Sequence, residues 1–94
     1  ELINNLLVDA MEDLPKQIDN LEKLINEGDL NKIELQAHSI KGSASNLSAQ
    51  SVTLLAKFIE EAAGDGEIGL IHKFFPELKK QFKALKTEVD KFLK

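Results

Sequence analysis

The chain has no cysteine and two histidines, so its candidates for nucleophilic chemistry at neutral pH are His38 and His72. Only His38 has suitable company: Lys41 at i+3, Gly42 at i+4 and Ser45 at i+7. Residues at these spacings are neighbours on one flank of a helix. With Ile33 set at zero and a turn of about 100° per residue, Ala37, Ile40, Ala44 and Leu47 fall within about 40° and form a core side. His38 then lies at about 140°, Lys41 at about 80°, Gly42 at about 180° and Ser45 at about 120°, on an outward face.

Gly42 is the informative residue of the group. In a helix interior glycine costs about 1 kcal/mol against alanine, and here it points away from the core that would need room. It leaves a dent beside the imidazole where another molecule's surface can come close. A nitrogen nucleophile, an ammonium for the oxygens and space for the donor together suit a phosphoryl group. Ser43 and Ser45 add hydroxyl donors. Taken singly, each residue has an ordinary reading: a surface histidine, a glycine serving helix packing, a solvated lysine. Their coincidence on one flank points to an interaction site. His72 has neither a lysine at i+3 nor a glycine at i+4 and reads as a plain surface residue. No H-x-x-x-H or H-E-x-x-H spacing occurs, so no metal site is expected.

The elements that must position this face are helical. Ile3, Leu7, Met11, Leu14, Ile18, Leu21 and Ile25 recur at steps of four and three, an apolar stripe on a first segment. Pro15 lies inside it and lacks the N–H that would bond the carbonyl of Met11, which predicts a kink or two helices over roughly 1–13 and 14–27. Gly28 is a stop signal and Asp29 an N-cap for the second segment, whose stripe runs from Ile33 to Leu47. A break is expected near Ser48, Ala49 and Gln50. Val52, Leu55, Ala56, Ile59, Ala62 and Ala63 mark a third helix ending at Gly64, Asp65 and Gly66. Ile71, Phe75, Leu78, Phe82, Leu85, Val89 and Phe92 mark a fourth, with Pro76 in its early turns expected to kink it or mark a restart. Short connections between such stripes predict an all-α, up-down antiparallel four-helix bundle with an additional N-terminal helix or helical extension.

Composition narrows the function classes. Ninety-four residues make one domain, 1–94. No apolar run reaches the ~18 residues of a membrane span, and no signal-peptide pattern opens the chain. The net charge is −4, the basic residues are scattered, and the five aromatics are all Phe, so neither a nucleic-acid footprint nor a base-stacking platform is expected. A start at Glu1 with Met11 as the sole methionine predicts a piece of a longer protein.

The stretch from Ala37 to Ala49, AHSIKGSASNLSA, resembles the signature of histidine-containing phosphotransfer (HPt) domains, A-H-x-L-K-G-S-A-x-x-L-G-A. The flanking Asn26 to Asp29 and Leu55 to Gly66 are similar as well, so the resemblance covers most of the chain. Two positions depart from it: Ile40 replaces Leu, a volume-conserving core exchange, and Ser48 replaces Gly at the turn after the second helix. The resemblance implies a four-helix bundle that relays phosphate between receiver-domain aspartates in two-component signalling. By this likeness His38 is the phosphoacceptor through Nε2, Lys41 neutralises the phosphoryl oxygens, and Gly42 admits the partner's active site. Ser39, Ser43 and Ser45 belong to the partner-binding face. Some chemotaxis-kinase relatives place a glutamate of the neighbouring helix on the histidine's Nδ1, and Glu60 looks similar. For Glu60 and the nearby Lys57 a solvated helix face is the competing reading, and the residues alone favour it.

The resemblance further implies a phosphoryl carrier with no kinase active site and no cofactor of its own, the Mg²⁺ coming with the receiver. Its partners would be response-regulator receivers, and a hybrid sensor histidine kinase in the same chain, with no nucleic acid and no membrane contact. Its place would be cytoplasmic, or the cytoplasmic end of a membrane-bound kinase. Two other readings stay open: a helical adaptor that binds a receiver-like partner without phosphorylation, and the phosphorylatable domain of a chemotaxis-type kinase.

Overall fold

The apolar stripes become the buried seams of four helices. The computed structural model describes residues 2–93, the side chains of 2–4 and 6 excepted; the place of Ile3 in the first stripe lies outside that description. The helices are α1 (Leu2–Glu27), α2 (Leu30–Asn46), α3 (Gln50–Gly64) and α4 (Ile68–Leu93). Connections of two or three residues set each helix against the next, and α1 also meets α4. Across the α1–α2 seam Asn20 bonds Gln36, while Gln17, a turn earlier, bonds Ser43, further along α2, so the two helices run in opposite directions. Leu14, Leu21, Ile33, Ile40, Ile59, Ile71 and Leu78 are fully buried at the centre.

Among the described residues there is no separate N-terminal helix. α1 continues from Leu2 to Glu27 through Pro15. A proline inside a helix costs about 3 kcal/mol. Leu14 and Ile18 on either side are 0% and 5% exposed, and burying each contributes about 1.5–3 kcal/mol. Keeping the stripe in register therefore outweighs the lost hydrogen bond. Pro76 likewise marks no restart, since α4 runs unbroken from Ile68 with Phe75 and Leu78 buried around the proline.

The helices differ in length. At about 1.5 Å per residue α1 and α4 are rods of about 39 Å, whereas α2 and α3 span only about 25 and 22 Å. The molecule measures 42 × 19 × 18 Å, so the outer rods overhang the inner pair. Phe92, the last member of the fourth stripe, is consequently not core; it is 66% exposed.

Asp29 caps α2 as expected, its carboxylate accepting from the N–H of Lys32 at 3.2 Å. Three helix ends close in the same way. The N–H groups of Gly28 and Asp29 turn back to Ile25 and Leu24, those of Ser48 and Ala49 to Ser45 and Ala44, and those of Gly66 and Glu67 to Ala63 and Ala62. This arrangement requires a left-handed residue just past the helix. Gly28 and Gly66 supply it at φ 74° and 73°, but at the end of α2 the residue is Ser48 at φ 56°. The turn therefore forms without the glycine of the resembled pattern, at a cost of about 1–2 kcal/mol to the L-residue. Glycine there would give back about 0.4–1 kcal/mol through the freer unfolded chain. Ser48→Gly is expected to stabilise the fold by a net amount of about 0.5–1 kcal/mol, read as a rise of about 2–8 °C in Tm by circular dichroism.

Candidate functional site

No helix pair packs more extensively than α2 and α3. Ala37 and Ala44 of α2 and Ala56, Ala62 and Ala63 of α3 are all buried. Methyl side chains let two helices approach toward the short end of the usual spacing of about 8–10 Å. Polar side chains at the edge of this seam can then reach across it.

His38 does so. Its side chain is 66% accessible, and Nδ1 lies 2.7 Å from Oε2 of Glu60. The other carboxylate oxygen, Oε1, lies 2.7 Å from Nζ of Lys41. One carboxylate of α3 thus bridges two residues of α2 that are a turn apart. An ionised carboxylate only accepts, so Nδ1 donates in this contact, and in the neutral ring the lone pair is then on Nε2. No hydrogen bond engages Nε2 among the described residues.

The Glu60 carboxylate is 19% accessible. Partial burial pushes its pKa up, but the hydrogen bonds from Lys41 and His38 and their charges prevail and hold it below the ordinary carboxylate value. A group lowered on folding stabilises the fold above its unfolded pKa, and that contribution disappears as pH falls through the folded one. Wild type is expected to be more stable than Glu60→Gln at neutral pH. Urea denaturation should show the gap closing as pH drops below about 4.3, the ordinary glutamate value.

Gly42 is exposed on the same outward side of α2, and a β-carbon built there meets nothing within 4 Å. Ser39 is exposed. Ser45 is exposed and lines a shallow groove with Ser48, Gln50, Thr53, Leu54 and Lys57. Ser43 is not brought to the imidazole: it is half-buried against α1, its hydroxyl accepting from Nε2 of Gln17 at 3.1 Å. Its place on the wheel, about 140° from His38, accounts for this. His72 is exposed on α4 and has no polar partner among the described residues. The ion pair between Lys41 and Glu60 is absent from the sequence reading, which assigned the lysine to a phosphoryl group alone. The available signal was that His38 and Lys41 share a flank, so a carboxylate reaching one across an antiparallel seam can reach both.

Fold and site together define an all-α domain that offers one surface imidazole, fixed by one nitrogen and open at the other. A model of the Hpt domain family matches residues 5–89, and the chain belongs to that family. It is 31% identical over 81 residues to the phosphorelay intermediate protein rdeA of Dictyostelium discoideum, an overlap of 86% of this chain and 30% of the relative. The chain thus spans less than a third of that relative's length. No solved structure matches it. Among the described residues no helix is long and apolar enough to cross a membrane.

Proposed function

We propose that the domain is a phosphorelay carrier that accepts a phosphoryl group on His38 from a receiver-domain aspartate and passes it to another receiver. The observation that carries this reading is the imidazole itself, exposed, with Nδ1 tied to Glu60 and Nε2 unengaged. In uptake the Nε2 lone pair attacks phosphorus in line as the bond to the aspartyl oxygen breaks, and the electron pair leaves with the carboxylate. Glu60 is a positioning residue that holds the reactive tautomer. Lys41 swings from Glu60 to the equatorial oxygens, a short move for a long side chain. The receiver brings the Mg²⁺.

The docking surface is the outward face of α2 with the adjoining edge of α3. Leu35, one turn before His38, is 71% exposed and Leu54 is 49% exposed. Apolar groups so placed supply contact area, and Gly42 between them lets the partner come close. A small, transient interface suits a carrier that must release its partner after each transfer. The test is incubation with phosphorylated candidate receivers. The expected product is a base-stable, acid-labile label on His38 that a second receiver removes. A receiver that binds the domain without leaving label would instead support the adaptor reading.

A further inference from the structure

Charge is divided unevenly along the chain. Residues 1–67 carry five lysines against thirteen carboxylates, whereas residues 68–94 carry seven lysines against three. On α4 these lysines are also segregated by face. At about 100° per residue Lys73, Lys79, Lys80, Lys83, Lys86 and Lys91 fall within one arc of about 140°, which takes in Asp90 but neither Glu77 nor Glu88. All six are exposed. The arc runs about 27 Å along the helix at about 1.5 Å per residue. Lys79 reaches Glu22 of α1 at 3.5 Å, and the other five make no ion pair among the described residues. Neither the core nor the His38 site uses this face.

We infer that the lysine face of α4 adsorbs onto an anionic lipid bilayer and thereby turns the His38 face away from it. Lysines grouped on an amphipathic helix are drawn to anionic headgroups, each adding to the attraction near the surface. The shape suits a flat, extended anion. The main grooves of the described residues take in Gln81, Ala84 and Leu85 of α4 but none of these lysines. Between Lys73 and Lys91 the arc holds no large apolar side chain, whereas a protein partner asks for apolar anchors at the centre of a contact. Glu22 and Asp19, three residues apart on α1, border the arc on one side, which tips the contact toward the outward-facing Lys73, Lys80, Lys83 and Lys91. α4 packs against α3 and α1, so α2 with His38 lies across the bundle. The short axes of the molecule measure 19 and 18 Å, about twice the Debye length of about 8 Å at physiological ionic strength, so carboxylates on the far side are screened from the bilayer. Such peripheral contact departs from the absence of membrane contact that the resemblance implies, and it does not depend on whether His38 carries phosphate.

The test uses vesicles of phosphatidylcholine and phosphatidylglycerol in equal parts, beside vesicles of phosphatidylcholine alone, with binding read by sedimentation. The domain should bind the anionic vesicles and not the neutral ones. Raising salt from about 0.1 to 1 M, which shortens the Debye length from about 10 to 3 Å, should release it. The triple variant Lys80→Gln, Lys83→Gln and Lys91→Gln should lower the partition coefficient at least about tenfold. The triple variant Lys23→Gln, Lys32→Gln and Lys57→Gln removes the same charge from exposed positions on the other helices and should change it less than about twofold. Circular dichroism checks that both remain folded. The two histidines report orientation, since His72 lies at the head of the lysine arc and His38 on α2. On anionic vesicles diethyl pyrocarbonate should modify His72 more slowly and His38 at an unchanged rate, as read by mass spectrometry. Absence of binding at low salt, equal binding to neutral vesicles, an equal loss in the second triple, or protection of His38 along with His72 would each overturn the inference. Retention on immobilised polyglutamate without vesicle binding would overturn it in favour of an acidic protein partner. None of these results bears on phosphate uptake by His38, so the carrier reading stands or falls separately.

Discussion

His38→Gln is expected to abolish phosphate uptake, at least about a thousandfold below wild type, while leaving the bundle folded. A glutamine amide keeps a donor that can reach Glu60 but has no lone pair on nitrogen able to attack phosphorus. The side chain is exposed and contributes nothing to the apolar core, so the stability change should stay within about 0.5 kcal/mol. His72 remains in the variant as an internal control, exposed and equally able to be modified by adventitious chemistry. Measurement of acid-labile label after incubation with a phosphorylated receiver, beside a thermal melt, decides the matter. Label persisting in a folded His38→Gln domain would mean that the acceptor is another residue.

Gly42→Glu should lower transfer by at least about a hundredfold, and the domain should be no less stable than wild type. The second half of that expectation gives the first its meaning. A β-carbon at 42 has open space around it, and replacing glycine within a helix gains about 0.5–1 kcal/mol of propensity. Nothing inside the monomer asks for glycine, so the requirement lies with whatever docks there. A carboxylate at that point adds both bulk and a like charge facing an acidic phosphoryl donor. Receiver affinity measured by calorimetry, together with the transfer rate, separates a docking defect from a chemical one. Gly42→Ala should fall between the two, more stable than wild type and modestly slower. Undiminished transfer in Gly42→Glu would end the steric account.

Much of the fold is legible in the spacing of apolar residues, because a helix buries whatever repeats at three and four. Ile33, Ala37, Ile40 and Ala44 are all fully buried, as their positions on the wheel require. Of the two outcomes expected at Pro15 and Pro76, the split does not occur, because the apolar side chains on either side of each proline outweigh one lost hydrogen bond. Phe92 misled for a different reason: periodicity shows which way a residue faces, and only the lengths of the neighbouring helices show whether anything is there to cover it. The outward face of α2 was readable since i, i+3 and i+4 relations are local. Glu60 was not readable from spacing alone, because a contact across 22 residues depends on how closely two helices approach, which the alanines of the seam determine. Ser43 shows the limit of a motif: its neighbours in the string are not its neighbours in space.

The two short inner helices have one more consequence. His38, Lys41 and Glu60 all belong to a single hairpin whose closing turn is three residues, so few residues separate its two halves and the entropy of bringing them together is small. α2 and α3 also share the most extensive contact of any helix pair, whereas α1 and α4 are long enough to reach past them. Local opening follows such differences in support. Opening at the outer turns of α1 and α4 is therefore expected to leave the contacts among His38, Lys41 and Glu60 in place.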